Sequence, residues 1–321
     1  MEDYDKVIEA IQAARMYYYQ NLTTEAIAHE LNMSRSTVSR LLNFARQNGL
    51  VDIRIVDPNE HPQQFEKKIT DFFKIKRAHV VPVPDIVSEM ECLERVAQYA
   101  ANYLNSIFDS NMILGVAWGN TISEISRHLL PKITHSSQIV QLHGAGNTQT
   151  MGIEYASEII MRFAKNYQAV AHLFPVPTFF DFASTKHALW EEGSIRRLLD
   201  LQEKADLLLY SIGAVNAGLP SHVYSGGYLG KVDYAELKKE HLVGDIATVF
   251  FRMDGSFNDI SINERASGPD LELFKNKHGI CVISGLAKVR GLYAALKGHL
   301  ITELIVDEPT ARSLIDNYIL S

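Results

Sequence analysis

"LTTEAIAHELNMSRSTVSRLLNFARQNGL" occupies residues 22–50. In its second half, stepping about 100° per residue from Ser36 puts Ser36, Ser39, Arg40, Asn43 and Gln47 on one side and Val38, Leu41, Leu42 and Ala45 on the other. This spacing predicts an amphipathic helix. Ser34 precedes it as an N-cap and Gly49 follows as a stop. Arg35, Arg40 and Arg46 lie within Ser34–Gln47, which holds no acid and so carries +3. The first half predicts a shorter helix capped by Thr23, with Ala26, Ile27 and Leu31 on its apolar side. Only Asn32 and Met33 separate it from the Ser34 cap, and two helices joined so tightly make a helix-turn-helix. Upstream, Val7, Ile11, Ala14 and Tyr18 recur at helical spacing and predict a third helix over the pair. Downstream, "LVDIRIV" alternates from Leu50 to Val56 as a short strand would, the wing of a winged helix.

A polar helix face is most often simply solvated. Here three features point instead to DNA: the two-residue turn, the acid-free polar side, and short hydroxyl side chains beside arginine. Small hydroxyls allow close approach to base edges and phosphates, and arginine forks onto guanine. The candidate DNA contacts are Thr23, Ser34, Arg35, Ser36, Thr37, Ser39 and Arg40, with operator double-stranded DNA as the partner. Residues 1–56 hold six Lys+Arg and seven Asp+Glu, a net charge of −1. Affinity must therefore come from a focused patch, doubled by dimerisation.

The whole chain of 321 residues is 46% hydrophobic and 21% charged, with net charge −7. That suits a globular protein and argues against one that coats nucleic acid along its length. Apolar runs stay short of the roughly 18 residues a membrane span needs. The opening "MEDYDKVIEA" does not read as a secretory signal. The two cysteines, Cys92 and Cys281, suit a reducing cytoplasm and offer no metal-ligand spacing. "DPNEHPQQ", Asp57 to Gln64, reads as a linker, dividing a DNA-binding domain over 1–57 from an effector and oligomerisation domain over 58–321.

In the second part, candidate strands are Ala78–Val83, Met112–Val116, Ile139–Leu142, Val170–Leu173, Leu207–Ile212, Ala247–Phe251, Ile280–Ile283 and Ile301–Val306. Helical patterns such as Met90–Phe108, Ile122–Leu130 and Ala287–Lys297 lie between most of them. The alternation predicts a doubly wound, mostly parallel α/β sheet. Such sheets bind ligands in the loops beyond the carboxyl ends of their strands. "GVAWGNTISEI" offers Trp118, Gly119, Asn120 and Thr121 at a helix N-terminus, where free N–H groups favour a phosphate. "VQLHGAGNTQT" offers Gln141, His143 and Gly144. "FPVPTFFDFAS" offers Asp181 as an acceptor for sugar hydroxyls, and "ISGLAKVRG" offers Gly285 and Lys288. Taken singly, each loop reads equally well as a capped turn or a solvated surface; four on one side of one sheet form a candidate effector site.

"LTTEAIAHELNMSRSTVSRLL", "GVAWGNTISEI", "VQLHGAGN", "VGDIATVFF" and "AALKGHLITELIVDEPTAR", in this order, resemble the SorC family of bacterial transcription regulators over nearly the whole chain. The N-terminal stretch is most similar to the deoxyribonucleoside regulators. The resemblance implies a DNA-binding module and an effector domain similar in fold to glucosamine-6-phosphate deaminase and ribose-5-phosphate isomerase. It also implies a phosphorylated sugar or nucleoside-derived effector, a homodimer or homotetramer, and no cofactor. Trp118 to Thr121 fall on the family's phosphate-cradling turn, and Lys288 on the lysine after its glycine pair, here Ser284 and Gly285. Two departures stand out. "SGLAK" has one glycine where two are usual. His143 stands where a lysine could condense with an open-chain aldehyde, and histidine cannot form that imine.

Two functions fit these features. One is a ligand-responsive regulator, with repression the expected mode. The other is a sugar-phosphate isomerase or deaminase carrying an extra module, for which Asp181, His143 and Glu264 are the candidate proton carriers. The helix-turn-helix has no use in catalysis, so the expectation is a regulator and not an enzyme.

Overall fold

The computed structural model describes residues 2–51, 62–84, 87–147, 153–214 and 221–320. Three helices open the chain: α1 (Glu2–Tyr18), α2 (Thr24–Glu30) and α3 (Arg35–Gln47). Thr23 Oγ1 accepts the Ala26 N–H at 3.2 Å and starts α2, and Ser34 Oγ accepts the Thr37 N–H at 3.1 Å and starts α3. Between them Asn32 turns the chain at φ 53°, a left-handed value that asparagine tolerates better than most residues. Val38, Leu41, Leu42 and Ala45 of α3 and Ile27 of α2 bury against α1, forming a core of their own. On α1 the buried residues are Val7, Ala10, Ala13, Ala14 and Met16, while Ile11 and Tyr18 are only half-buried. Small residues let α1 lie close to α3, so contact is made where size alone would not have placed it.

The expected wing lies mainly outside the described residues, as do Asp57 to His61 of the expected linker. Its last three residues are a correction. Pro62, Gln63 and Gln64 form the first turn of α4 (Pro62–Phe73), whose Phe65, Ile69 and Phe73 are buried. Proline at the start of a helix loses no hydrogen bond, because its N–H would be unpaired there anyway.

The remaining elements are β1 (Arg77–Val81), α5 (Glu89–Ile107), β2 (Ile113–Val116), α6 (Asn120–Arg127), β3 (Gln138–Gln141), α7 (Ile153–Tyr167), β4 (Val170–His172), α8 (Ala183–Trp190), α9 (Gly193–Glu203), β5 (Leu207–Tyr210) and β6 (Ile212–Gly213). They are followed by α10 (His222–Ser225), α11 (Lys231–Lys239), β7 (Leu242–Ile246), β8 (Val249–Arg252), α12 (Ser261–Arg265), α13 (Glu272–Asn276), β9 (His278–Ile283), α14 (Val289–Lys297), β10 (Glu303–Asp307) and α15 (Glu308–Tyr318). A 3-10 turn, Leu286–Lys288, leads into α14.

Seven strands pair in parallel in the order β1-β10-β9-β5-β2-β3-β4. Alternate residues of each strand point to opposite faces. Leu208, Tyr210, Cys281, Ile283, Leu304 and Val306 meet α4, α14 and α15 on one face. Leu114, Val116, Leu207, Leu209, Ile280 and Val282 meet α5, α6 and α7 on the other. The apolar run Leu207–Ile212 is broken at Ser211 into β5 and β6. Ala247–Phe251 belongs to β8 and its turn, in a separate antiparallel sheet ordered β6-β7-β8, and β7 lies outside the expected strands. Connections run from β2 toward one edge through β3 and β4, and from β5 toward the other through β9 and β10. The winding therefore reverses between β2 and β5, where a crevice opens at their carboxyl ends.

Candidate DNA-reading surface and effector site

Burying the apolar side of α3 leaves its other side outermost. Ser34, Arg35, Ser36, Ser39 and Arg40 are exposed and Thr37 is half-buried. The hydroxyls are gathered at the helix start, with Ser34 Oγ 2.8 Å from both Ser36 Oγ and Thr37 Oγ1. Arg40 folds back over them, its Nη2 donating to Thr37 Oγ1 at 3.4 Å. One acid reaches this face from outside α3: Glu25 of α2 meets Arg35 at 3.0 Å. Both groups are exposed, so the pair is weak and easily exchanged for a phosphate. Thr23 caps α2 as Ser34 caps α3, each hydroxyl oxygen accepting a backbone N–H, and it too is exposed.

At the crevice, three chain segments bring polar groups together. Gly119, at φ 149°, stands at the N-cap of α6 and has no side chain with which to cap its first turn. Thr121 lies in that turn and is buried. Lys288 reaches across from the loop after β9, its Nζ donating at 3.4 Å to Thr121 Oγ1 and at 3.4 Å to Ser211 Oγ. Ser211 follows β5 and donates to Thr121 Oγ1 at 3.4 Å. The Gly285 turn is held from the next strand, since Asp307 Oδ2 accepts its N–H at 3.0 Å. Gly285 itself has φ 104°, which favours glycine.

Burial pushes the Lys288 ammonium down from its ordinary pKa, against the opposing pull of Cys281, Asp245 and Asp307. Asp245, at the end of β7, lines the same pocket and is buried, which raises its carboxyl to about 6 against bonds from Tyr224 and Thr248. His143 is buried and stacks on Trp118 with ring centres 4.5 Å apart. Its Nε2 accepts the Trp118 N–H at 3.3 Å, and burial holds the ring neutral, down to about 3. The neutral ring therefore carries its proton on Nδ1, which has no partner. Among the described residues four buried side-chain atoms lack a hydrogen-bond partner, and two of them, His143 Nδ1 and Thr248 Oγ1, belong to residues lining this pocket. Unpaired buried polar atoms are costly, and both of these belong to residues that wall the crevice.

Trp118, Gly119, Asn120, Thr121, His143, Gly285 and Lys288 all line this pocket. Three expected residues do not. Gly144 is engaged in backbone bonding, its N–H to Ser267 Oγ at 2.9 Å and its carbonyl to Thr178 Oγ1 at 3.0 Å. Gln141 turns inward, donating to the His143 carbonyl at 2.6 Å. Asp181 follows β4, an edge strand two positions from β2, and is exposed. Gln141 and Asp181 line a different cavity, of about 1020 Å3, walled by Phe174, Phe179 and Phe182. That cavity is much larger than the crevice, whose free space is about 70 Å3, but the crevice holds the Lys288 ammonium and the Thr121 and Ser211 hydroxyls. Glu264 is exposed on α12 and lines neither cavity, so Asp181, His143 and Glu264 form no proton-transfer set. Ser211, Asp245 and Thr248 escaped the sequence reading. Ser211 hides inside an apolar run, though a lone hydroxyl closing a strand is a usable signal.

The Sugar-bind model, which describes a sugar-binding domain, matches residues 57–316, and Sigma-70 region 4 matches residues 12–48. The deoxyribonucleoside regulator of Bacillus subtilis (strain 168) is 33% identical over 98% of this chain and 99% of its own length. The sorbitol operon regulator of Klebsiella pneumoniae is 26% identical over 98% of this chain and 100% of its own. Among solved structures, a domain of a possible sugar-binding transcriptional regulator from Arthrobacter aurescens TC1 is 48% identical, covering 81% of this chain and 100% of that one, with a TM-score of 0.75. Full-length SorC from Klebsiella pneumoniae, 23% identical, shares the fold over 95% of this chain and 97% of its own at a TM-score of 0.74. These relatives are regulators and not isomerases or deaminases. The chain belongs to the SorC family and is a DNA-binding, sugar-responsive transcription regulator, with its helix-turn-helix at the N-terminus and its sugar-binding domain behind it.

Proposed function

We propose that this regulator represses a carbohydrate or nucleoside catabolic operon from the cytoplasm, as a homodimer or homotetramer, and that its effector is a phosphorylated sugar. Ser36, Ser39 and Arg40 read the operator, with Ser34, Arg35 and Thr37 placing the helix on the backbone. The phosphate lies between the start of α6 and Lys288, with Thr121 and Ser211 as hydroxyl partners. The observation that carries this reading is the convergence of one ammonium and two hydroxyls, from the loops after β9, β2 and β5, beside the glycine that begins α6. A dianionic phosphate would complete all of them and would favour the charged form of Lys288 against burial.

The regulators of deoxyribonucleoside and sorbitol genes direct the choice of ligands to try. A thermal-shift screen pairs deoxyribose 5-phosphate, ribose 5-phosphate and sorbitol 6-phosphate with their dephosphorylated forms. A ligand that binds only the folded state raises the melting temperature by mass action. Phosphorylated forms should raise it and free sugars should not; equal responses within each pair would remove the phosphate from the reading. Because His143 forms no imine, borohydride should trap no ligand there. The division into DNA-binding residues 1–57 and effector domain 58–321 predicts that a fragment beginning just before Pro62 folds, oligomerises and binds effector without binding DNA.

A further inference from the structure

The hairpin between β7 and β8 turns on two residues, Ala247 and Thr248, with φ of 47° and 73°. Tight hairpin loops with positive φ at both positions favour Asn-Gly, because most side chains clash with the backbone there. A β-branched threonine is a genuine outlier at such a φ. Backbone strain of this kind persists only where the surroundings impose it, and it gathers at ligand sites.

The surroundings here do impose it. Asp245 Oδ2 accepts the Thr248 N–H at 3.1 Å, and Asp245 Oδ1 accepts the Tyr224 hydroxyl at 3.0 Å. Gly268 lies against the Ala247 carbonyl with no room for a side chain. Thr248 has no exposed surface, yet its Oγ1 has no hydrogen-bond partner. It lines the same pocket as Lys288 and Thr121. A glycine would relieve the turn, and an apolar residue would avoid the unpaired hydroxyl. Threonine does neither, so its hydroxyl is the feature that needs a partner.

We propose that Thr248 is a specificity-determining residue whose hydroxyl bonds a hydroxyl of the sugar part of the effector, with Asp245 as the positioning residue that holds the turn. The proposal rests on the phosphate site described above, which supplies the other end of the ligand. The effector class it selects is a polyhydroxylated sugar phosphate held by hydrogen bonds, with recognition of the sugar separate from recognition of the phosphate.

The test uses the full chain, with ribose 5-phosphate and inorganic phosphate as probes in titration calorimetry. The variants are Thr248→Gly and Thr248→Ser, each confirmed folded by its melting curve. Thr248→Gly should bind inorganic phosphate as the unaltered chain does and ribose 5-phosphate about tenfold more weakly, the size of one lost hydrogen bond. Thr248→Ser keeps the hydroxyl and should bind ribose 5-phosphate within about twofold of the unaltered chain. If Thr248→Gly binds ribose 5-phosphate undiminished, or if serine fails to rescue it, the proposal is overturned while the phosphate site stands. If neither probe binds the unaltered chain, the phosphate site falls and takes this proposal with it.

Discussion

The start of α3 and the crevice between β2 and β5 present the same chemistry, hydroxyls beside a cation, but assemble it differently. On α3 the groups are neighbours in sequence: Ser34, Ser36 and Thr37 bond one another and Arg40 bonds Thr37 within one and a half turns. In the crevice Thr121, Ser211 and Lys288 come from loops separated by 90 and 77 residues and meet only because the sheet brings its strand ends together. The first surface is exposed and suits a partner larger than itself. The second is enclosed and suits a small ligand. An exposed surface bonds weakly per contact and relies on many contacts, whereas burial strengthens each interaction and makes each unpaired group costly.

The largest expected effect tests whether every polar cluster that topology gathers is a binding site. Glu303, at the amino end of β10, is buried and bonded by His79 at 2.9 Å and Tyr103 at 2.5 Å, with His278 on its other oxygen. Burial works to raise its pKa, but the bonds from His79, His278 and Tyr103 outweigh burial and hold it at about 2. This cluster lies at the opposite ends of the strands from the crevice. A carboxyl lowered from 4.5 to about 2 stabilises the fold by about 3 kcal/mol. That contribution is complete above pH 4.5 and is lost as pH falls toward 2. Glu303→Gln should therefore lower unfolding free energy by about that much at pH 7 and flatten the acid limb of the stability curve. Effector affinity should not change. A loss of affinity at full stability would make this cluster part of the site.

Next in size is Lys288→Ala. A charge-assisted bond contributes about 1.5–3 kcal/mol, so a phosphorylated effector should bind roughly tenfold to a hundredfold more weakly in calorimetry. Operator binding without effector should survive, since α3 is untouched, and the free sugar should bind both proteins alike. Undiminished affinity for the phosphorylated form would place the phosphate elsewhere.

Arg40→Ala probes the other surface. It should cost about 1–3 kcal/mol of operator affinity per half-site if the contact is to a base, read by gel retardation at fixed salt. Melting and effector binding should stay as they were. If operator affinity is unchanged, Arg40 leaves the reading surface, and the local cluster at Ser34–Thr37 must act without it.

The contrast between the two surfaces also explains what could be read from the sequence. Helix periodicity is local, so the buried side of α3 and both caps were readable residue by residue. The apolar runs Met112–Val116 and Ile280–Ile283 were readable as strands, though the second begins two residues earlier, at His278, and their loops were readable as candidate turns. Which loops converge depends on strand order, which no single loop records. Asp181 therefore looked equivalent to Lys288, although β4 is an edge strand and β9 adjoins the switch. Asp245 and Thr248 lay hidden because their importance comes from burial and from a backbone conformation that side-chain pattern does not reveal. Gln141 looked free because polar residues at strand ends usually are, but its amide is consumed by the His143 carbonyl.

The smallest effect belongs to Ser211, the residue that breaks the apolar run between β5 and β6. Its hydroxyl accepts from Lys288 and donates to Thr121, so it aligns both proposed phosphate ligands without adding charge. A neutral bond contributes about 0.5–1.5 kcal/mol. Ser211→Ala should then weaken the phosphorylated effector by roughly twofold to tenfold, less than Lys288→Ala does. The two changes should not add: once Lys288 is gone, Ser211 has lost one of its two partners, and the double variant should bind little worse than Lys288→Ala alone. This non-additivity distinguishes a crevice whose ligands act as a unit from a surface whose contacts act independently. On α3 the corresponding pair, Ser39→Ala with Arg40→Ala, should add, because the structure gives no bond between those side chains and each would reach DNA by itself. If the Ser211 and Lys288 changes add fully, the two residues bind the ligand separately, and the crevice works as the helix face does.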